Sequence, residues 1–292
     1  MDEGLVVKGL GGFYFVKKSD GSLIRCKARG RFKKENINIF VGDKVKIIRT
    51  IDNTWVIEEI MPRTNFIIRP PVANIDQCII VFAVKNPDLN YSQLNRFLIL
   101  AEKSNVEIVI CLNKIDLAEE REVKEIERKY LNIGYEVLTL SAKKKSGIEN
   151  LKTVLKDKIS VVSGPSGVGK STLLNAIQPG LKLATGDLSE KIKQGRHTTR
   201  HVELLQLDFG GLVADTPGFG YFKLEDITPE ELSDLFIEIN RAARYCRFKG
   251  CMHLHEPDCE IKRQVEHGLI YKERYDSYIE LLREIDDNRR GL

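Results

Sequence analysis

The stretch CLNKID, Cys111 to Asp116, closes the apolar run VEIVICL and carries the pattern Asn113-Lys114-x-Asp116. The Asp116 carboxylate can accept hydrogen bonds from the N1 and N2 donors of guanine, and the Asn113 amide can read the acceptor edge of the base. Such a motif needs a phosphate-binding loop beside it. One is present, GPSGVGKST at Gly164 to Thr172, but it lies downstream. In ordinary GTPases the phosphate loop comes first, so either NKID is a chance match or the chain has been reordered.

The phosphate loop has the setting it requires: strand-like ISVVS precedes it and helix-like TLLNAI follows. Across Gly164, Pro165, Ser166, Gly167, Val168 and Gly169 the glycines let backbone N–H groups close around phosphates. Lys170 reaches the β- and γ-oxygens, Ser171 offers its hydroxyl to Mg²⁺, and Thr172 opens the helix whose N-terminal dipole favours the anion. The loop also resembles that of guanylate-type nucleotide kinases, so by itself it does not specify GTP.

Three further segments complete a GTPase set. In LVADTPGFG, Asp215 ends an apolar strand, where it can hold the Mg²⁺ shell, and the Gly218 N–H can sense a γ-phosphate. GRHTTRH, Gly195 to His201, supplies Thr199 as a second Mg²⁺ ligand. SAKKKSG follows strand-like YEVLTL, and the backbone around Ser141, Ala142 and Lys143 can meet the guanine carbonyl. With Asn113, Lys114, Ile115 and Asp116 these motifs resemble translation-factor-class GTPases, in a circularly permuted order: guanine motifs, phosphate loop, switch I, switch II. Termini of compact domains often lie close together, so such a cut preserves the site.

Strand and helix patterns alternate from Ile75, which predicts an α/β domain with a largely parallel sheet. Residues 1–65 read instead as five short strands with turn signals such as SDGS and VGD, suiting an all-β OB-type barrel. MPRTNFIIRPPVA holds three of the nine prolines and reads as a linker. After Phe222 the chain becomes helical: Thr228, Pro229 and Glu231 form an N-cap, first-turn Pro and capping-box set. The expected division is 1–65, 66–225 and 226–292.

The 292 residues carry a net charge of +4, mildly basic and compatible with nucleic acid. The longest apolar run, CIIVFAV, is too short to span a bilayer, and MDEGLVV lacks a signal pattern, so no membrane association and a cytoplasmic location are expected. Cys26, Cys78 and Cys111 sit in strand-like runs as core residues. Cys246, Cys251 and Cys259 crowd with His253 and His255, which in a reducing compartment favours a metal over disulfides. Three Cys and one His make a closed tetrahedral set typical of structural Zn²⁺; spacing leaves His253 and His255 open as the fourth ligand. Arg25, Lys27, Arg29, Arg31 and Lys33 recur at period two, which on a strand would give one basic face able to track a phosphate backbone.

Permuted motifs, a barrel-like N-terminus and a Cys/His C-terminus together resemble one family, the ribosome small-subunit-dependent GTPases A (RsgA), over nearly the whole chain. NKID, GPSGVGKST, GRHTT, DTPGF and C-x4-C-x-H-x5-C carry the resemblance. It implies an OB domain, a permuted GTPase domain and a zinc domain with His253 as ligand. It also implies GTP hydrolysis stimulated by the small ribosomal subunit, rRNA as partner, and a role in that subunit's late maturation. A monomer is the default expectation.

Many GTPases place Gln after the switch II DxxG to orient water. Here Phe219 stands there, and its side chain cannot hydrogen-bond. His197 is the local candidate for positioning or deprotonating water. Switch II leads straight into the C-terminal segment, so its ordering by γ-phosphate is expected to move that segment. The rival readings are a P-loop nucleotide kinase, which leaves NKID and DTPG unexplained, and a nucleotide-gated RNA-binding module.

Overall fold

The computed structural model describes residues 1–67, 71–181, 202–215, 224 and 227–290. The N-terminal strands β1 (Asp2–Leu10), β2 (Phe13–Lys18), β3 (Leu23–Ala28), β4 (Lys44–Arg49) and β5 (Trp55–Ile60), with a short helix α1 (Gly30–Lys34) after β3, form a barrel. Its order is β1-β2-β3-β5-β4 with β4 returning to β1, so every strand edge within the ring is paired. The pairing of β3 with β5 is parallel and the others are antiparallel. Val6, Val16, Cys26, Val45, Ile47 and Ile57 fill the interior, each fully buried.

One expectation fails here. The basic run does not lie on one strand. β3 ends at Ala28, opposite Ile57 of β5, and Arg31 and Lys33 belong to α1. Residues two apart on a helix point to nearly opposite sides, so the period-two face stops at Arg29. Phe32 is what the helix serves, since it is buried among the barrel residues. Arg25 lies over the Phe13 ring, 3.5 Å from its centroid. Arg29 donates to Glu58 Oε2 at 2.6 Å, and Arg31 donates to the Glu58 carbonyl.

The proline-bearing linker is packed rather than free. It contains a two-residue hairpin, β6 (Phe66–Ile67) with β7 (Val72–Ala73). Asn65 bonds both backbone groups of Ile75, and Asn74 Nδ2 donates to the Gly42 carbonyl at 2.8 Å. Arg63 grips fully buried Asp43 through Nε and a terminal nitrogen at 2.7 and 3.0 Å. Gly42 has φ +89°, and a Cβ there would lie 1.9 Å from the Ala73 carbonyl oxygen.

The α/β unit follows: β8 (Gln77–Ala83), α2 (Tyr91–Lys103), β9 (Glu107–Asn113), α3 (Glu120–Ile133), β10 (Glu136–Thr139), α4 (Ile148–Leu155), β11 (Ile159–Ser163), α5 (Lys170–Ile177), β12 (Glu203–Gln206) and β13 (Leu212–Asp215). The strand order is β10-β9-β8-β11-β13-β12, parallel as far as β13. β12 runs antiparallel and joins β1 of the barrel, which makes one continuous sheet. Every residue of β8 is buried, as a strand covered on both faces must be. Leu94, Leu98 and Tyr130 of α2 and α3 pack on one face. Leu151, Leu173 and Leu174 of α4 and α5 pack on the other. Asn90 caps α2 by accepting from the Gln93 N–H, and Gly134 at φ +121° ends α3.

Helices α6 (Pro229–Leu235), α7 (Ile237–Ala243), α8 (Glu260–Glu266) and α9 (Lys272–Arg290) form a further layer. Thr228 and Glu231 make the expected reciprocal capping box. The layer docks on the outer side of α2: Ile99 and Leu100 join Phe236, Tyr278 and Leu282 in one buried cluster. At its root Arg274, fully buried, donates to both carboxylate oxygens of Glu238 and to Asn95 Oδ1. Asn95 Oδ1 also accepts from Tyr130, and its Nδ2 donates to Ser277. This polar knot ties α2, α3, α7 and α9 together.

Candidate nucleotide site and metal cluster

The guanine motifs and the phosphate loop meet at the C-terminal ends of the parallel strands, where open α/β sheets bind ligands. Asn113, the last residue of β9, is the joint. Its Nδ2 donates to the Val168 carbonyl in the phosphate loop at 2.8 Å, and its Oδ1 accepts from the Ala142 N–H at 3.1 Å. The sequence suggested a base reader, and the structure gives this side chain a bridging duty first. An amide nitrogen has two hydrogens, and among the described residues only one of Asn113's is bonded.

Asp116 Oδ1 accepts from the Ser141 hydroxyl at 2.5 Å, and Ser141 Oγ in turn accepts from the Lys144 N–H at 3.1 Å. The carboxylate is thereby oriented by the SAK segment, with acceptor capacity to spare for a base. Lys114, in the left-handed region at φ 60°, donates to the Gly167 carbonyl at 2.7 Å and to the Asn86 carbonyl. It clamps the phosphate loop to the β8–α2 connection. Asn86 was not anticipated from the sequence, because it acts through a backbone carbonyl that any residue carries.

The loop itself is built for close approach. Gly164, at φ +141°, would place a Cβ 2.0 Å from the Val81 carbonyl oxygen. Gly169, at φ +94°, would place one 2.6 Å from Asn113 Nδ2. Lys170 Nζ donates to the carbonyls of Gly164 and Pro165 at 2.8 and 2.7 Å, within the loop that is expected to hold the phosphates. Pro165, Ser166 and Gly167 form the loop's crest; Val168 is buried beneath it. Ser171 and Thr172 lie in the first turn of α5, and Ile115 begins a short 3₁₀ turn after Lys114. Asp215 is the final residue of β13. His197, Thr199 and Gly218 lie outside the described residues.

The second cluster lies in the helical layer. Cys246, Cys251, His253 and Cys259 bring one ligand atom each to within 4.8 Å of all the others. Sγ–Sγ separations are 4.0 and 3.8 Å for Cys246–Cys259 and Cys251–Cys259, and Nδ1 of His253 is 3.6 and 3.4 Å from Cys246 and Cys259. A tetrahedron with metal–sulfur bonds of about 2.3 Å has edges of about 3.8 Å, so the donor set fits Zn²⁺. His253 is a member of the cluster and His255 is exposed outside it, which favours His253 over His255 as the fourth ligand. His253 stands at φ 59°, held by Tyr275 donating to its carbonyl at 2.6 Å. Glu256 collects the N–H groups of Met252, Leu254 and His255. Against the upward push of burial, these bonds hold its carboxyl below the ordinary range. Burial pushes the Cys251 thiol up to about 12 and lowers His253. Nothing in the spacing pointed to Glu256, whose work is local loop bracing.

The family model for the RsgA N-terminal domain matches residues 3–57, and that for the RsgA GTPase matches residues 60–225. Proteins described as small ribosomal subunit biogenesis GTPase RsgA are similar along the full length. That of Caldanaerobacter subterraneus subsp. tengcongensis is 46% identical, covering 99% of this chain and 97% of its own. That of Clostridium acetobutylicum is 47% identical, covering 98% and 99%. Among solved structures, YjeQ from Thermotoga maritima superposes with a TM-score of 0.87 at 42% identity, covering 97% of this chain and 98% of its own. YloQ, a circularly permuted GTPase, superposes with 0.85 at 39% identity, covering 99% and 96%. The reversed motif order is therefore a circular permutation, and the chain belongs to the RsgA family of GTPases.

Proposed function

We propose that this GTPase binds the small ribosomal subunit, assists its late maturation in the cytoplasm, and hydrolyses GTP to GDP and phosphate when the subunit stimulates it. The observation that carries the guanine assignment is the Asn113 bridge. One side chain holds the phosphate loop at Val168 and the SAK segment at Ala142, so motifs in reversed order share one site.

In this reading Asp116 selects guanine, the SAK backbone meets the base carbonyl, and residues 164–172 wrap the phosphates. Lys170 turns from loop carbonyls to the β- and γ-oxygens. Ser171 and Thr199 would hold Mg²⁺, which when bound neutralises charge between the β- and γ-phosphates. Asp215 would hold the Mg²⁺ shell, and the Gly218 N–H would report the γ-phosphate. His197 positions the attacking water, the duty that Phe219 cannot take. Cys246, Cys251, His253 and Cys259 hold one structural Zn²⁺, and four protein ligands leave it no open position for chemistry. The protein acts as a monomer divided at about residues 65 and 225. Arg25, Lys27 and Arg29, exposed on and beside β3, offer the barrel's basic contact to rRNA, and Arg31 and Lys33 of α1 are exposed on other sides of that helix. No helix among the described residues is long and apolar enough to cross a membrane.

Turnover of GTP with and without purified small subunits tests the proposal, with Asp116→Asn as the specificity control. Subunits are expected to raise turnover, and the variant to shift preference from guanine toward xanthine nucleotides. Unstimulated turnover would reject the ribosomal role, and retained GTP selectivity in Asp116→Asn would reject the site.

A further inference from the structure

β1 changes partners within its own length. Asp2–Leu5 pair with β4 inside the barrel, and a register shift against β2 falls between Val6 and Lys8. Such a bulge bends the strand and re-aims its side chains. Two consecutive valines, on opposite faces as strand alternation requires, serve two cores: Val6 lies in the barrel interior, and Val7 in the apolar layer that also holds Val202, Leu204 and Ala214. Beyond the bulge, Lys8 pairs with Glu203 of β12.

β12 is thus held from both sides. Glu203 faces Lys8 across one edge and Asp215 across the other. Lys8 Nζ donates to Glu203 Oε2 at 2.6 Å, and Lys17 of β2 donates to Gln206 at the far end of β12. Asp215 opens DTPG, and Thr199 stands four residues before Glu203 in the sequence. We infer that Lys8 and Glu203 are positioning residues that transmit occupancy of the barrel to the strand between the two switch segments, setting its position for stimulated hydrolysis.

The inference rests on the proposed reading that the barrel meets the small subunit. The joint is narrow, with one register pair. A partly exposed ion pair is worth only about 0–1 kcal/mol in itself. Its importance is positional: β12's register is fixed by four pairs with β13, so the pair with Lys8 decides where the barrel edge meets β12. Reversing either charge sets like charges opposite each other, which disfavours the native pairing.

The test uses the full chain with Lys8→Glu, Glu203→Lys and the double reversal. It reads the ratio of subunit-stimulated to basal turnover, and subunit binding by co-sedimentation with a non-hydrolysable GTP analogue. Each single reversal is expected to lower the ratio about tenfold, and the double reversal to restore it to within about twofold. Full stimulation in the single variants overturns the inference, as does failure of the double variant to recover. Lost sedimentation in Lys8→Glu alone also overturns it, by making Lys8 a contact to the subunit. A wild-type chain that subunits neither bind nor stimulate overturns the underlying functional reading, and that result appears before any variant is made.

Discussion

Replacing Arg274 with Met is expected to loosen the helical layer at its root. The guanidinium is fully buried, 2.6 and 3.0 Å from the two Glu238 oxygens and 3.1 Å from Asn95 Oδ1. It also lies 4.5 Å from the centroid of the Phe236 ring. Met keeps much of the apolar stem and removes the charge, so packing changes little while the Glu238 carboxylate, only 10% exposed, loses its partner. Removing one member of a buried pair costs about 3–5 kcal/mol, because the other charge stays desolvated. A chain with several cores need not unfold in one step, so a global midpoint is the wrong measure. Native-state hydrogen exchange along α9 and α2 is the right one. At about 1.4 kcal/mol per decade, protection there should fall by about two to four orders of magnitude. Adding Glu238→Gln should recover part of the loss, since the residual charge is then gone. A change below about threefold, or strict additivity of the two substitutions, would refute the reasoning.

Other outcomes follow from the two sites. Asn113→Ala strands the buried Val168 carbonyl and Ala142 N–H at about 1–3 kcal/mol each, so GTP and GDP affinity should both fall at least tenfold; an unchanged Kd for a fluorescent nucleotide would count against the bridge. Gly164→Ala sets a methyl 2.0 Å from the Val81 carbonyl oxygen, so nucleotide binding and thermal stability should both be lost, and a variant that binds normally would show that the loop can shift. Chelation should unfold the segment 246–259 before the sheet, by circular dichroism and exchange. Thiols must lose protons to ligate, so apparent metal affinity should rise from pH 6 to pH 8; a flat profile would exclude thiolate ligation.

The α/β unit was legible because its signals are local. Alternating apolar runs place β8, β9, β10 and β11, Gly134 marks the end of α3, and Thr228 with Glu231 marks the start of α6. The nucleotide motifs were legible because phosphate and guanine recognition demand particular residues at particular spacings. The misses are tertiary. Alternating Arg and Lys from 25 to 33 look like one strand, yet Gly30 starts a helix that sinks Phe32 into the barrel. The prolines around residue 70 mark a linker, but what holds it is tertiary: Arg63 binds Asp43 and Asn74 binds Gly42, while Asn65 ties it to Ile75. β12 is four residues long, too short for its periodicity to stand out, although it joins the two sheets.

The permuted order suggested that γ-phosphate ordering of switch II would drag the C-terminal layer with it. The Arg274 knot argues otherwise. The layer hangs on switch II by sequence, but it is fastened to α2 by hydrogen bonds from Arg274 to Asn95 and from Asn95 to Ser277, and by an apolar interface around Ile99 and Leu100. Shifting a two-state element from one bound position to another nearly completely needs about 5.5 kcal/mol of differential binding, before the loss of the Asn95 hydrogen bonds and the apolar interface is added. β12 is held to the barrel more lightly, through one register pair, the Lys8–Glu203 and Lys17–Gln206 side-chain bonds and the Val7 contact with its apolar layer. Exchange compared between GTP-analogue and GDP states should therefore leave α9 nearly unchanged and alter β12 and the end of β1. Protection changes above about tenfold along α9, with β12 silent, would show that the layer moves and that the knot is a hinge rather than an anchor.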